Sequence, residues 1–249
     1  MRPVFFLSDF GLEDPYAGIV RAVIHAQAPA APQFDLAHDL PPGDLRRAAY
    51  ALFEAAPYLP EGSVVLAVVD PGVGSRRRAV AVRTKRLFFV APDNGILTLA
   101  LAEDPALGVR VLRVPKGASA TFHGRDVFAP AAARLAKGVA FERLGEAADP
   151  TSLVRLPVAL GPGPEGEILT FDRFGNAITT LKTAPPPGAE LLVAGRALPC
   201  RRTFADVAPG EPLCYLGSAG LVEIAVREGS AKDVLGLKTG LPVRLSKPA

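Results

Sequence analysis

The chain has 249 residues, of which 49% are hydrophobic and 21% charged, a composition typical of a soluble protein with one large domain or a large and a small one. Its 28 basic and 25 acidic side chains leave a net charge of +3, and no basic run is interleaved with aromatic residues, which argues against a nucleic-acid-binding protein. No apolar run reaches the roughly 20 residues that a membrane helix needs, and the first residues lack the pattern of a signal peptide. We therefore expect a cytoplasmic protein that binds neither nucleic acid nor membrane, with Cys200 and Cys214 as two incidental thiols.

Short apolar runs and helical patterns alternate along the first 150 residues. The apolar runs predict strands at 4–7, 33–37, 64–69, 79–82, 87–91 and 109–114. The helical patterns cover 17–28, 44–56 and 128–136. Asp44 is suited to cap the second of these helices, and Gly138 lies where the third should end. This alternation predicts an α/β domain with a mainly parallel sheet over residues 1–152.

The composition changes near residue 150, where proline and glycine become frequent and predict a linker over residues 153–165. Short strand patterns follow at 167–171, 177–181, 190–193, 213–216, 221–226 and 242–245. Only residues 230–235 look helical in this part of the chain. We therefore expect a second, smaller and mostly antiparallel β domain over residues 166–249.

Acidic residues follow the ends of four predicted strands. They are Asp9, Asp39, Asp70 and Asp93. Because the carboxyl ends of parallel strands lie at one edge of a sheet, where open α/β folds bind ligands, these residues predict a shared site. Turns also recruit aspartate, so any one of them alone would mean little.

Two polar loops in the first domain are candidates for chemistry. In the loop 70–77, glycines let the backbone approach a ligand, and Asp70 and Arg77 form an opposite-charge pair; a plain tight turn is the structural alternative. His123 lies in the polar segment 121–126, directly before a predicted helix. It is a better catalytic candidate than His25, which lies within a helical pattern.

The second domain offers two further polar patches. Asp172, Phe174 and Asn176 supply a carboxylate, a ring and an amide, a set that suits a nucleoside or an amino-acid zwitterion. A hairpin turn explains the same residues equally well, because Gly-Asn is good turn chemistry. Tyr215 and Ser218 lie in another polar patch between two predicted strands.

Taken together and in order, these motifs resemble those of the S-adenosyl-L-methionine (SAM) hydroxide adenosyltransferases, relatives of the fluorinating and chlorinating enzymes. The matching segments are 8–11 with Asp14 and Tyr16, 70–74, 91–95, 121–125, 172–176 and 217–220, so the resemblance covers essentially the whole chain. It implies an α/β domain, a C-terminal β-barrel-like domain, and a homotrimer with active sites at subunit interfaces. It also implies that SAM is hydrolysed at its ribose C5′ to adenosine and L-methionine, as a substrate, with no cofactor and no metal.

The resemblance assigns roles residue by residue. It implies that Asp70, Arg77 and His123 activate water, that Asp9 holds the ribose hydroxyls and that Asp172 holds the methionine amino group. Further substrate-binding positions are Asp14, Val73, Phe122, Phe174, Asn176, Tyr215 and Ser218.

The sequence also leaves alternatives open. A chlorinase-like halogenase would join halide to the same carbon, and Gly124 could leave room for chloride, although Asp70 would repel an anion. A second alternative is a non-catalytic protein that binds adenosine or SAM. A third is a metal-dependent hydrolase that uses the aspartates, although no His–carboxylate pair at metal spacing supports it. The fluorinating enzymes have Trp at the position of Gly43 and Arg at that of Ala219, so the means of holding adenine and the methionine carboxylate stays open.

Overall fold

The computed structural model describes residues 1–246, so the last three residues of the predicted second domain, 247–249, lie outside the described residues. The chain divides into two compact units, Met1–Leu156 and Pro157–Ala249. Within the described part of the chain, no helix combines the length and the apolar character needed to span a membrane. The predicted domain boundaries and the linker at 153–165 stay predictions.

A seven-stranded sheet forms the centre of the first unit. Its strands are β1 (Val4–Ser8), β2 (Gln33–Ala37), β3 (Val64–Val68), β4 (Ala79–Arg83), β5 (Phe88–Pro92), β6 (Gly108–Leu112) and β7 (Gly145–Ala148). They lie in the order β2-β1-β3-β5-β4-β6-β7, and the first four are mutually parallel. β4 is antiparallel to β5 and β6, and β7 is antiparallel to β6, so only β4 and β7 oppose the common direction. The expected α/β class with a mainly parallel sheet is confirmed.

Helices cover both faces of this sheet. They are α1 (Tyr16–Gln27), α2 (Leu45–Ala55), α3 (Ala100–Glu103) and α4 (Ala129–Ala136), the last preceded by a π-helical turn, Gly124–Phe128. Because successive strand side chains point to opposite faces, β3 divides its side chains between two cores. Val64, Leu66 and Val68 pack on the side of α1 and α4, whereas Val65 and Ala67 pack on the side of α2. Burial on both faces explains why β3 is an uninterrupted apolar run.

Local signals place most helix ends where the sequence predicts them. The Asp44 side chain accepts a hydrogen bond from the backbone N of Arg47 (2.9 Å) and so caps α2. Gly138 takes a φ of +84° just past α4, a conformation that glycine adopts without strain. Neither α3 nor β7 was predicted, because α3 has only four residues and the Gly-Glu-Ala-Ala of β7 lacks β-branched or aromatic side chains.

The second unit contains an antiparallel sheet whose two edges meet. Its elements are β8 (Glu165–Phe171), β9 (Ala177–Thr179), β10 (Glu190–Val193), β11 (Arg196–Pro199), β12 (Pro212–Leu216), β13 (Val222–Val226), α5 (Ala231–Val234) and β14 (Pro242–Leu245). The strand order is β11-β10-β14-β8-β9-β13-β12. Directly after β11, the backbone N of Arg201 donates to the carbonyl of Cys214 in β12 (2.7 Å), so the sheet nearly closes. The expected barrel-like antiparallel domain is confirmed, although β11 was missed.

Cys200 and Cys214 form a disulfide, and the expectation of two incidental thiols was wrong. Their Cα atoms lie 4.4 Å apart, one residue directly following β11 and the other within β12. A separation of 14 positions along the chain does not reveal this pairing, because the pairing depends on which strands become the edges of the curved sheet. The disulfide therefore fastens the seam at which the second sheet nearly closes.

Candidate active site

A cavity of about 370 Å³ opens in the first unit at the carboxyl ends of β1 and β3. Its walls come from residues 9–10 after β1, from 68, 70, 71 and 73 at and beyond the end of β3, and from 42–43 and 121–124. This is the sheet edge where open α/β folds bind ligands. The size falls within the range of roughly 300–1,000 Å³ that is usual for small-molecule sites.

Two of the four aspartates expected to share a site line this cavity. They are Asp9 and Asp70. Asp39 is exposed, and the carboxylate of Asp93 faces Arg78 instead, accepting a hydrogen bond from its Nε (2.8 Å). Over residues 1–246, no group of three His, Cys, Asp or Glu side chains is arranged to hold a metal ion.

Arg77 joins Asp70 and His123 in one hydrogen-bonded group. Its Nε donates to Asp70 Oδ1 (2.9 Å), and its Nη2 contacts both Asp70 Oδ2 and His123 Nδ1, the latter at 2.9 Å. The side chains of Arg77 and Asp70 are only 8% and 6% exposed, so water screens their attraction weakly. The structure thus brings together three residues that the sequence indicated in two separate loops.

The contact with Arg77 fixes the tautomer of His123. A guanidinium nitrogen can only donate, so Nδ1 of His123 accepts and the neutral ring carries its proton on Nε2. Burial, followed by the charge of Arg77, lowers the pKa of His123 below its usual 6.5, against the opposing influence of Asp70 and Asp126. His123 is therefore neutral at pH 7 and offers Nε2–H as a hydrogen-bond donor.

Gly74 allows the two loops to meet. Its φ is +76°, and a Cβ at this position would lie 2.5 Å from the backbone oxygen of Ala120. Any side chain would therefore both strain the backbone and push the loop 70–77 away from the segment that carries His123. The backbone N of Ser119 donates to Asp126 Oδ2 (2.8 Å), which holds that second segment at its other end.

Gly43 supports Asp9, one of the residues expected to bind substrate. The backbone N of Gly43 donates to Asp9 Oδ2 (2.8 Å), and its φ is +72°. This left-handed conformation is one that a tryptophan would rarely adopt. The departure from the fluorinating enzymes at position 43 thus coincides with a backbone contact to the Asp9 carboxylate.

Aromatic rings fill the space beside Gly124. A Cβ on Gly124 would lie 3.2 Å from Cζ of Phe10 and 3.4 Å from Cε2 of Phe122. A side chain at this position would therefore press on both rings, while Gly124 itself lines the cavity; that it leaves room for chloride stays a prediction. Phe122 and Val73, two predicted substrate-binding positions, line the cavity, and so does Phe10, which was not predicted as one.

The remaining named residues lie outside this cavity. Asp14 is exposed in the first unit. In the second unit, Asp172 accepts hydrogen bonds from the backbone N of Phe174 (2.9 Å) and from the backbone N and Nδ2 of Asn176 (2.8 and 2.7 Å), so it stabilises the turn between β8 and β9. Phe174 is 76% exposed at this turn.

The second polar patch of that unit has a buried part and an exposed part. The hydroxyl of Tyr215 donates to Glu223 (2.6 Å), whereas Ser218 is exposed. Glu223 was not predicted as part of the patch because it lies within an apolar run that is typical of a core strand. The only signal for it was its strand register, since Glu223 pairs directly with Tyr215.

Comparison with known families covers both units. The family model of the SAM hydroxide adenosyltransferase N-terminal domain matches residues 4–145, and that of the corresponding C-terminal domain matches residues 166–244. This chain belongs to the SAM hydroxide adenosyltransferase family. The resemblance that the sequence motifs indicated is confirmed.

Several similar proteins match nearly the whole chain. A protein of Thermus thermophilus named (R)-S-adenosyl-L-methionine hydrolase is 60% identical over 98% of this chain and 100% of its own length. A protein of the same name from Salinispora tropica is 42% identical over 98% of this chain and 97% of its own. A fluorinase of Actinopolyspora mzabensis is 25% identical over 99% of this chain and 98% of its own. The solved structure of a conserved hypothetical protein from Thermus thermophilus matches with a TM-score of 0.91 and 61% identity, covering 99% of this chain and 100% of the other.

Proposed function

We propose that this protein is a hydrolase that cleaves SAM by attack of water on the ribose C5′, giving adenosine and L-methionine. The hydrogen-bonded group of Asp70, Arg77 and His123 beside the cavity carries this proposal. Full-length relatives named (R)-S-adenosyl-L-methionine hydrolase support it, at 60% and 42% identity. SAM enters as the substrate, and we propose no further cofactor.

The three side chains divide the chemistry according to what each can donate or accept. As the new C5′–O bond forms, the C5′–S bond breaks and its electron pair leaves with methionine as a neutral thioether. The attacking water must lose a proton to an acceptor. Arg77 only donates, and His123 already carries its proton on Nε2, so Asp70 is the acceptor and His123 orients the water.

The charge balance favours hydrolysis in a shielded pocket. Water acquires hydroxide character as it attacks, and the sulfonium loses its positive charge, so opposite charges approach each other in the transition state. Their attraction grows as water is excluded. Arg77 holds the Asp70 carboxylate in place for this step through two hydrogen bonds, and a carboxylate beside the attacking atom argues against halide at the same position.

Further assignments complete the proposed substrate site. We assign the ribose hydroxyls to Asp9, apolar contacts to Val73 and Phe122, and the methionine amino group to Asp172. The remaining proposed wall positions are Asp14, Phe174, Asn176, Tyr215 and Ser218. We also propose a homotrimer with shared active sites. We propose a cytoplasmic location as well, a compartment in which a disulfide such as Cys200–Cys214 is rare except in hyperthermophiles.

Incubation with SAM in oxygen-labelled water tests the proposal. We expect adenosine with the label at its 5′ oxygen, the same rate after treatment with a chelator, and no 5′-halogenated nucleoside when chloride or fluoride is added. Chromatography and mass spectrometry measure all three. Intact SAM after long incubation would indicate a binder, a halogenated product would indicate a halogenase, and inhibition by the chelator would indicate a metal-dependent hydrolase.

A further inference from the structure

The segment 91–95 matches the family motifs, yet none of its residues lines the cavity. It begins with the last two residues of β5, a strand whose neighbours in the sheet are β3 and β4. The loop 70–77, which supplies Asp70 and Arg77, runs from the end of β3 to the start of β4. Two adjacent side chains of the segment contact opposite ends of this loop: Asn94 contacts its beginning and Asp93 its end.

Asn94 holds the residue before Asp70. Its Nδ2 donates to the backbone carbonyl of Val69 (2.9 Å), while its Oδ1 accepts from the backbone N of Ile96 (3.2 Å). Because a backbone N–H can only donate and a carbonyl can only accept, these two partners fix the orientation of the amide. Both hydrogen-bonding ends of the Asn94 side chain are thus committed to the backbone.

Asp93 holds the residue after Arg77. Its Oδ2 accepts from Nε of Arg78 (2.8 Å), and its backbone N donates to the carbonyl of Arg78 (3.0 Å). The other oxygen, Oδ1, accepts from the backbone N of Val154 (2.9 Å). Asp93 is only 7% exposed, so these bonds form away from water. The Arg78 guanidinium is fixed further by Ser152, whose carbonyl accepts from Nη2 (2.6 Å).

We propose that Asp93 and Asn94 are positioning residues for the reaction, and this rests on the proposed function. They fix the two ends of the loop 70–77, so the carboxylate of Asp70 and the guanidinium of Arg77 keep their places relative to His123. Neither residue contacts the cavity, so both act through the loop rather than on substrate. Misplacing a reacting group by about 1 Å costs on the order of 100-fold in rate, which makes such anchoring significant.

Two substitutions of unchanged size remove these contacts, and a third serves as the control. Asn94→Asp loses the donor to Val69, and Asp93→Asn loses the charge that faces Arg78. Asp104→Asn is matched to them, because Asp104 accepts from the backbone N of Lys85 (3.1 Å) and stabilises the turn between β4 and β5, at the opposite end of the same two strands. The experiment measures kcat, KM and Tm for the wild-type protein and all three variants.

We expect Asn94→Asp and Asp93→Asn to lower kcat by about 10- to 100-fold, with KM changed by less than about threefold. Asp104→Asn should lower Tm to a similar extent and leave kcat within about twofold, because it disturbs the same strands away from the loop. Loss of kcat in all three variants in proportion to loss of Tm, or in none of them, would overturn the proposal.

A second readout separates this inference from the proposed function. The ring-nitrogen chemical shifts of His123, measured by NMR on protein labelled at histidine, report the Nδ1 contact with Arg77 without any substrate. We expect Nδ1 to shift in Asn94→Asp and Asp93→Asn but not in Asp104→Asn. A wild-type protein that leaves SAM intact refutes the hydrolase, whereas unchanged His123 shifts in the first two variants refute the positioning role.

Discussion

His123 makes a contribution at the scale of a single residue that can be isolated by substitution. Replacing it with alanine removes the Nε2–H donor while leaving Asp9 and the apolar walls of the cavity in place. Because His123 orients the attacking water, we expect His123→Ala to lower kcat on the order of 100-fold with SAM binding retained. His25→Ala is the control, since His25 is exposed on α1. Stopped-time product assays and calorimetric titration make the comparison, and unchanged turnover in His123→Ala would remove His123 from the mechanism.

The lowered pKa of His123 predicts a pH dependence of activity. Because burial and Arg77 disfavour the protonated ring, kcat/KM should hold steady as pH falls through 6.5 and decline only below that value. Protonation then occupies Nδ1 and breaks its contact with Arg77. A pH profile of kcat/KM checks this, and a decline that begins well above pH 6.5 would contradict it.

The same residue links pH to stability, with a definite sign. The unfolded chain binds a proton to this imidazole near pH 6.5, whereas the folded chain binds it only at lower pH. Stability from the neutral ring is therefore present above pH 6.5 and is lost as pH falls through the lower, folded pKa. His123→Asn has no imidazole, so its free energy of unfolding should not show this loss. If the free energy of unfolding falls equally with pH in the wild-type protein and the variant, the prediction is wrong.

Gly74 limits what the loop 70–77 can tolerate. In Gly74→Ala the new Cβ meets the carbonyl of Ala120, and the backbone must also hold a positive φ. We expect kcat/KM to fall by at least about 10-fold, because the loop carrying Asp70 moves away from His123. Gly18→Ala is the matched control: Gly18 lies in α1 with nothing within 4 Å of its new Cβ, so activity should be unchanged and Tm unchanged or raised.

Equal activities of Gly74→Ala and Gly18→Ala would show that the close approach of the two loops is unnecessary. Steady-state kinetics with SAM and a thermal melt of each variant are sufficient to decide this.

At the scale of the element, the sequence predicted most strands and helices to within one or two residues. The apolar run of β3 and the capped start of α2 are strong local signals, because each depends on neighbouring residues alone. β7 and β11 were missed because what defines them is pairing at a sheet edge or beside a turn. The positive φ of Ala194 and Gly195, which connect β10 and β11, illustrates such a turn.

The candidate site was likewise predictable where local motifs define it and not where long-range packing does. Asp70, Arg77 and His123 could be named because they stand in recognisable motifs, and the order of the strands then brought them to one edge. The pairing of Asp70 with Arg77 could be predicted because both lie in one short loop, whereas the partners of Asp93 could not. Asp93 follows its strand closely, as Asp70 does, but lies one residue after β5 rather than two. Its oxygens accept hydrogen bonds from Arg78 and Val154, and both partners depend on long-range packing.

The disulfide between β11 and β12 is expected to stabilise the second unit. Closing a loop of about 15 residues lowers the entropy of the unfolded chain by an amount worth about 3 kcal/mol. We expect reductant to lower the free energy of unfolding by about this amount in the wild-type protein. A Cys200→Ser, Cys214→Ser double variant should have the lower free energy of unfolding from the outset, and reductant should not change it. Denaturant titrations measure both proteins, and a wild-type protein insensitive to full reduction would contradict the prediction.

At the scale of the whole molecule, the proposed trimer with shared sites predicts complementation between inactive chains. Asp70→Asn inactivates the first unit, and Asp172→Asn inactivates the second. If each site takes its two parts from neighbouring subunits, an equal mixture of the two variants, refolded together, assembles about a quarter of its sites from intact parts. Product formation by the mixture should therefore exceed that of either variant alone.

A mixture of Asp70→Asn with His123→Ala is the control, because both changes lie in the first unit and no intact combination arises. Sedimentation velocity establishes the oligomer in each case. Mixed trimers without recovered activity would refute shared sites, and a monomer would refute the trimer itself.

The seam between β11 and β12 also has a consequence for aggregation. A strand at the edge of a sheet presents unpaired backbone groups that can capture a strand of another molecule. In the second unit the two edge strands turn toward each other, and Cys200 and Cys214 lock them together. Reduction leaves only the backbone hydrogen bond from Arg201 to Cys214 to hold the two edges together, so they separate more easily. Storage of concentrated protein under reducing conditions should therefore promote intermolecular sheet growth, and oxidising conditions should suppress it.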